Sequence, residues 1–408
     1  MHHHPHSADS ADPSGSQLPS VTDRPRARVR CLRTLDELAD VRGFWEAHQQ
    51  HPNVDFDFYR AFLECYKDSI TPYVLVLDND DLAPAILVGR IRHGPVPIKI
   101  GYRTLLQPRA RVLELSYRGL LGDASSTTCR TLLANLVQAF ARGDADLVRF
   151  EHLDVQSALY ASARDAAGWL QRDRAVRPQS HWTAELGTNY DAFFGSLSGN
   201  SRHNLRRYTR RFEKQFDGRF EIRTYTEPRD LDRVIRDMES VAAKTYHRGL
   251  GAGFIGNIET RKLIGLAMEK GWYRSAILYI EDKPVAFWDG RKYRRTFYTD
   301  TTGYRPELYH ARPGLFLLLS LLRDLCADDQ VDVLDFGLGD AQYKRSLCNR
   351  EWHEARIHVY SRRWRGVSIN VGLTATAAAA SFARRTLDEF ELASRVKRSW
   401  RGRLIGSR

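Results

Sequence analysis

Five short stretches hold residue types that do chemistry, and their spacing decides what each is worth. LDFGLGDAQYKRSLC, Leu334 to Cys348, sets two glycines one residue apart after an apolar run, with a lysine further on. A GxxxxGK[ST] loop or a GxGxxG fingerprint would wrap backbone N–H groups around phosphates. Here Gly337-Leu338-Gly339 is followed by Asp340, Ala341 and Gln342, so the third glycine is missing and a carboxylate would face the phosphates. Both readings fail. What remains is a strand over 331–336 ending in a glycine turn that projects Asp340, Tyr343 and Lys344 from its carboxyl end, where ligands of open α/β sheets gather.

GSLSG, 195–199, fits GxSxG with Ser198 as nucleophile. That elbow needs a preceding strand, and DAFFGSL is helical in pattern, so Ser198 reads as a helix N-cap. WHEARIH resembles HExxH, but His353 and His358 are five apart and fall on different faces of a helix or strand, which removes a metalloprotease. Along SRHNLRRYTRRFEKQFD, Leu205, Tyr208, Phe212 and Phe216 make one apolar stripe, and Arg202, Arg206, Arg207, Arg210, Arg211 and Lys214 cover the rest. That face is either a phosphate contact or an ordinary solvated basic surface. In HARPGLFLLL, Pro313 and Gly314 open a helix whose first turn offers N–H groups and a positive dipole end, with Arg312 alongside. A pyrophosphate fits such a site, though Pro-Gly is also an ordinary helix start.

The elements that must position these residues come in two similar runs. PYVLVLDNDDLAPAILVGRI (72–91) and SAILYIEDKPVAFWDGRKY (275–293) each read as strand, turn, strand. Each is followed by a further strand (111–116; 296–300), a helix (127–142; 314–327) and a terminal strand after an acidic turn. A strand-strand-strand-helix-strand unit occurring twice predicts a duplicated α/β protein of the α+β type, with mixed sheets flanked by helices.

With 42% hydrophobic residues in 408, the chain has core enough for two domains. Its 62 Lys and Arg against 50 Asp and Glu leave +12, which favours anionic partners. Cys31, Cys65, Cys129, Cys326 and Cys348 are scattered singly, as reduced thiols of a cytoplasmic protein would be. No metal site is expected. Residues 1–28 read as a disordered leader without a signal peptide's apolar core. No apolar run is seen to reach the roughly 18 residues of a membrane span. GLFLLLSLLRDL is too short and carries charges, so it reads as a buried helix. The tail, 364–408, is Ala-rich and then basic: a frayed, solvated helix, with peripheral contact to an anionic membrane or a polysaccharide-assembly partner as the alternative.

PVAFWDGRKY, TFYTD, ARPGLFLLLSLLRDL and VDVLDFGLGDAQYKRSLC, with LSGNSRHNLRR before them, resemble the GNAT-like acyltransferases of the CelD/BioF2-like group, relatives of the FemAB aminoacyltransferases. The resemblance covers roughly 191–360. It implies tandem GNAT-like domains, a degenerate first copy over 29–180 and an acyltransferase domain over 181–363. The glycine-rich N-acetyltransferase phosphate loop is absent, with Arg312-Pro313-Gly314 in its place. The implied activity is direct transfer of an acyl group, acetyl above all, from a CoA thioester to an amine or hydroxyl. The acceptor would be an anionic small molecule, a sugar or a cell-envelope precursor. Arg312, Pro313, Gly314 and Leu315 would hold the cofactor phosphates, and Lys344 would offset charge on the reacting carbonyl oxygen. Asp300 or Asp340 would take the acceptor's proton and Tyr343 would donate to the thiolate. Substrate contacts are expected at Arg202, Arg206, Tyr246 and Trp288. Two rivals are an aminoacyltransferase drawing on aminoacyl-tRNA and a non-catalytic module that binds an anionic polymer.

Overall fold

The computed structural model describes residues 29–389 apart from 80, 81, 102, 188, 246, 247 and 249–252, with side chains described to residue 383. The first half runs β1 (Val29–Leu32), α1 (Leu35–Ala39), α2 (Arg42–His48), α3 (Phe56–Cys65), β2 (Ile70–Asn79), β3 (Leu82–Pro95), β4 (Ile98–Ile100), β5 (Arg103–Leu106), β6 (Arg109–Gly122), α4 (Ser126–Arg142), β7 (Leu147–Asp154) and α5 (Ala158–Asp165). The second runs β8 (Gln179–Glu185), α6 (Tyr190–Ser196), α7 (Gly199–Gln215), β9 (Phe220–Tyr225), α8 (Leu231–Ala242), α9 (Ile258–Glu269), β10 (Tyr273–Ile280), β11 (Lys283–Tyr293), β12 (Thr296–Tyr304), α10 (Pro313–Cys326), β13 (Val333–Leu338), α11 (Gln342–Leu347), β14 (Arg350–Tyr360) and α12 (Trp364–Glu389).

Twelve of these strands form one sheet in the order β1-β2-β3-β6-β7-β14-β8-β13-β12-β11-β10-β9, while β4 and β5 pair as a separate hairpin. From the two edges inward the units match. Strands β1, β2, β3 and β6 step antiparallel and then β6 pairs parallel with β7. Strands β9, β10, β11 and β12 do the same before β12 meets β13. A parallel step needs a crossover, and α4 and α10 supply it. The predicted hairpins and helices are those that form, with the helix ends within one residue.

The middle of the sheet was not foreseen. Strand β8 follows the first unit yet pairs with β13 of the second, and β14 follows the second yet pairs with β7 of the first. The two exchanged strands pair with each other. The expected division after residue 180 falls inside β8.

In the first unit α4 buries Leu132, Leu133, Leu136 and Phe140 against Leu87, Leu113 and Phe150. In the second α10 buries Leu317, Leu318, Leu321 and Leu322 against Trp288, Phe297 and Leu334. Each such side chain contributes about 1.5–3 kcal/mol. Buried Leu325 continues that stripe and buried Leu319 lies off it, as the uninterrupted apolar run predicts.

The two helices begin differently. At α4 the Asp123 carboxylate accepts from the Ser125 N–H and from the Ser125 and Thr128 hydroxyls, so the helix start already holds an anion. At α10 the chain enters through Arg312, in the left-handed region at φ 58°, and Pro313, with no side-chain cap. The first start already carries a carboxylate, and the second carries none.

Of the tail, α12 is anchored to the protein and so is not a frayed helix, while residues 390–408 lie outside the described residues. Ile369, Asn370 and Thr376 of α12 are buried, and the Asn370 amide donates to the Leu170 and Arg172 carbonyls. Its segment Trp364–Ala383 is long and apolar enough to cross a membrane by length and composition, against the expectation that no run reaches that length.

Candidate active site

Strands β12 and β13 pair only over Thr296–Val333, Phe297–Leu334 and Tyr298–Asp335, after which β12 runs on to Tyr304 without its neighbour. Both strands kink where they part. On β12 the pairing with β11 jumps from Asp289–Thr301 to Gly290–Thr299, so Asp300 is the extra residue of a bulge. On β13 the register against β8 shifts between Asp335 and Gly337, and Gly337 sits at φ 64°, where a side chain would be strained. The Thr299 hydroxyl donates to the Asp335 carbonyl at 3.1 Å as the last tie. Gly290 makes the bulge possible, because a Cβ there would run into the Tyr298 carbonyl and the Phe297 ring. Gly290→Ala is therefore expected to cost about 1–3 kcal/mol in a urea melt and to lower activity by more than the folded fraction explains.

Alternation along the parted strands separates two environments. Phe297, Leu334 and Phe336 join the core under α10. Tyr298 and Asp335 point the other way and line a cavity of about 530 Å³ at the seam between the units. The first unit contributes His51, Ser116, Tyr117 and His152 to its wall, and the second contributes Arg291, Asp300 and Leu338. Ser116 Oγ, His152 Nδ1 and Arg291 Nη1 are buried there without a hydrogen-bond partner among the described residues. Unpaired buried polar atoms are costly and rare, so three on one cavity wall mark a place built for a polar ligand.

His181, on β8, holds the seam together. Its Nε2 lies 2.7 Å from Asp335 Oδ1 and its Nδ1 3.3 Å from Glu354 Oε2, with all three side chains buried. The imidazole stacks on Trp352 at 4.2 Å. Glu354 Oε1 also accepts from the Tyr117 hydroxyl and the Trp352 indole. Burial alone would push the imidazole pKa down, but the two carboxylates outweigh it and hold it above 6.5. Burial likewise opposes ionisation of Glu354, yet His181 and the neighbouring donors hold it below 4.5. Their shares of stability therefore overlap in one window. The histidine's share is complete below 6.5 and is lost as pH rises through its elevated folded value. The glutamate's is complete above 4.5 and is lost as pH falls through its lowered one. Thermal midpoints should rise to a maximum in between, and the alkaline limb should flatten in His181→Gln.

Two other histidines on the cavity wall are shifted toward the neutral form. Burial, then Arg291 and Arg118, hold His51 well below 6.5. Its Nδ1 accepts the Asn53 N–H, which leaves the proton on Nε2. Burial and then Arg356 lower His152, whose Nε2 faces the Arg356 guanidinium at 3.3 Å. Asp300 is held by both oxygens to Arg291 at 2.7 Å. Buried Asp289 accepts from Thr301 and Tyr273 beside that pair, and burial followed by Asp300 raises its pKa above the usual carboxylate range.

On the α10 face, the Arg312 guanidinium lies 3.9 Å from the centre of the Tyr208 ring, and Arg207 approaches the same ring at 5.1 Å. The basic helix and the Pro-Gly helix start, far apart in sequence, thus meet. Pro313 has no N–H, and those of Leu315 and Phe316 turn back to the Arg312 carbonyl, so Gly314 offers the N–H of that turn. Two guanidiniums at the positive end of a fourteen-residue helix fit a phosphate, with fewer backbone donors than a glycine-rich loop would bring.

Residues 199–345, which contain the parting of β12 and β13, α10 and Lys344, match the family model described as acetyltransferase (GNAT) domain. That match covers the strands β9 to β13 and the helices between them. No curated protein matches the chain. Among solved structures it is similar to FemX (8% identity, TM-score 0.49, 80% of this chain and 96% of that one). It is also similar to the C-terminal domain of a putative lysylphosphatidylglycerol synthetase from Agrobacterium fabrum (13%, 0.48, 83% and 96%). A tandem GNAT protein from the clavulanic acid biosynthesis pathway is a third such likeness (11%, 0.46, 82% and 99%). These likenesses are too loose to carry a substrate across.

The residues singled out from sequence fall in separate places within and beside the matched domain. Asp300 lines the cavity at the bulge. Arg312, Pro313, Gly314 and Leu315 sit at the α10 start, and Trp288 joins them by donating its indole N–H to the Gly314 carbonyl. Tyr343 packs beside Trp288 and Phe336, and burial pushes its hydroxyl up to about 12. Arg202 donates to the Gly195 carbonyl and Arg206 lies over Phe194, so both reach back to α6. Asp340 is exposed and ion-paired with Arg345, which lowers its pKa. Lys344 is buried, with Nζ donating to the carbonyls of Phe336, Gly337 and Leu338 at 2.8, 3.1 and 2.7 Å. Tyr246 lies outside the described residues. Ser198 caps α7 by accepting the Ser201 N–H. Among the described residues no cluster of His, Cys, Asp and Glu is arranged to hold a metal ion.

Sequence reasoning missed His181, Tyr117, Trp352 and Glu354. The last two belong to the stretch dismissed as a failed HExxH, and in a strand their spacing of two puts them on one face.

Proposed function

We propose that the chain transfers an acyl group from a phosphorylated thioester donor, acyl-CoA, to an amine or hydroxyl acceptor held in the seam cavity. The observation that carries this reading is the parting of β12 and β13 between a basic helix start on one side and a polar cavity on the other. An acyl-CoA, when bound, supplies an activated carbonyl. Arg207, Arg312 and the Gly314 N–H would hold its phosphates. The unpaired Ser116, His152 and Arg291 atoms bind the acceptor, and His51 Nε2–H is the donor that orients the carbonyl. Asp300, at the bulge, takes the acceptor's proton. Lys344 serves as a strut beneath the strand end, because its three N–H groups already have acceptors. An acceptor from cell-envelope or polysaccharide precursors, and placement in the CelD/BioF2-like group, belong to the same reading.

Labelled acyl-CoAs incubated with purified protein and a panel of amines and sugars test this directly. Arg312→Ala is expected to raise KM for the donor about tenfold with kcat nearly unchanged, the loss of one charge-assisted contact. Asp300→Asn should lower kcat about a hundredfold or more. Turnover that needs no thioester, or an Arg312→Ala variant with unaltered KM, would sink the proposal. Aminoacyl-tRNA is the second donor to try, since exposed Arg206, Arg207, Arg210 and Arg211 of α7 suit a nucleic-acid backbone. In that case affinity should fall steeply and linearly in log salt.

A further inference from the structure

Two long stretches of the chain contain no Asp or Glu, residues 82–113 and 355–387, although 50 acids are spread over 408 residues. Far apart in sequence, they meet in the fold. Ile98 of β4 packs under Gly372 of α12, whose added Cβ would press on the Ile98 side chain. On the other flank of α12 the loop around Leu170 is tied by the Asn370 amide, and Arg177 donates to the Ala377 carbonyl and the Ser381 hydroxyl. Hairpin, helix and loop thus form one continuous surface.

That surface is apolar where a soluble surface is polar. Of the eleven large apolar side chains that stand exposed among the described residues, eight lie on these three segments. Ile100, Leu105 and Leu106 tip the hairpin, and Trp169 and Leu170 tip the loop. Trp364, Val371 and Phe382 fall on one outward stripe of α12, with Ser368, Ala375 and Ala378 between them and no charge from residue 366 to 383. The stripe is about 27 Å long at 1.5 Å per residue. An outward helix face in water carries charge. The charges that flank the apolar ridge on the hairpin and the helix are all basic. Lys99, Arg103, Arg109 and Arg365 are exposed and make no ion pair with a described residue.

We infer that this face docks on an anionic phospholipid bilayer, the ridge sinking into the headgroup boundary and the basic rim meeting lipid phosphates. A second copy of the chain fits poorly, because it would set one predominantly basic rim against another. Anionic lipid supplies the missing charge. The helix lies along the bilayer and does not cross it, since its inner face is fixed to the protein through Ile369, Asn370 and Thr376.

The test uses the full chain with vesicles of phosphatidylcholine alone and vesicles with one third phosphatidylserine. Co-sedimentation with the anionic vesicles is expected, at least about tenfold weaker with neutral ones and weakened again as salt shortens the Debye length. The double variant Leu105→Asp, Leu106→Asp and the single variant Phe382→Asp should each lower binding about tenfold or more. These side chains are exposed, so thermal midpoints should stay put; if one falls, the other variant decides. No binding, equal binding to both vesicles, or unaltered binding of both variants would overturn the inference. So would a dimer by light scattering that Leu106→Asp splits, which would assign the face to a second copy. None of these residues lines the cavity or the α10 start, so acyl transfer to a soluble acceptor should persist in the variants, and the two proposals fail separately.

Discussion

Replacing His181 with Ala should cost about 3–5 kcal/mol of stability, more than any other single change in the seam. The substitution strands Asp335 and Glu354, two carboxylates whose side chains are only 11% and 1% exposed, around a space the imidazolium had filled. It also removes a ring stacked on Trp352. Urea unfolding read through the midpoint reports the loss. Adding Glu354→Gln should return part of it, because the second substitution removes one of the stranded charges, so the double variant should be more stable than the sum of the singles. Strict additivity would mean that His181 and Glu354 do not interact as drawn. Acyl transfer should fall by about a hundredfold or more even where the variant is folded, since Asp335 lines the cavity at the point where β12 and β13 part.

Lys344→Met should be the second large effect. The lysine occupies three carbonyls at the end of β13, and methionine would leave them without a donor, at about 1–3 kcal/mol for each that water cannot reach. Burial lowers the Lys344 pKa, but those carbonyls are satisfied by the ammonium form. As a strut, Lys344 should show activity and thermal midpoint falling together, with KM for both substrates disturbed as Gly337 and Leu338 shift. As a donor to the reacting carbonyl, it should show a fall in kcat of several hundredfold at an unchanged midpoint. The two roles thus differ in a readout that needs no structure of the variant.

Much of the fold was legible because its signals are local. The hairpins announce themselves by alternation and turn residues, α10 by an apolar run behind Pro313-Gly314, and the repeat by the order of elements. Ser198 as a helix cap was readable for the same reason. The stripe of Leu205, Phe212 and Phe216 does pack inward, leaving the arginines of α7 outside. What sequence did not show is pairing over long range. Nothing in QSHWTAE says that it will lie between strands ending at residues 338 and 360, so nothing marked His181 as the centre of a charge cluster. Asp340, Tyr343 and Lys344 were correctly placed just past the strand end. Which way each side chain turns there depends on Gly337 and Gly339 in left-handed backbone and on a short helix after them, and a linear pattern does not encode that. The tail was underestimated because its packing partners are far earlier in the chain, in the β4–β5 hairpin and the Leu170 loop.

The exchange of β8 and β14 also fixes the order in which the protein can be finished. Strand β7 is complete at residue 154, but the strand that covers its open edge spans 350–360. At ordinary rates of synthesis the ribosome needs about 10–40 s to deliver those two hundred residues. For that interval the first unit presents an uncapped strand edge, the kind of surface that pairs with whatever strand is nearest. A chain truncated before residue 350 would lack the strand that covers the β7 edge and would leave its sheet open there.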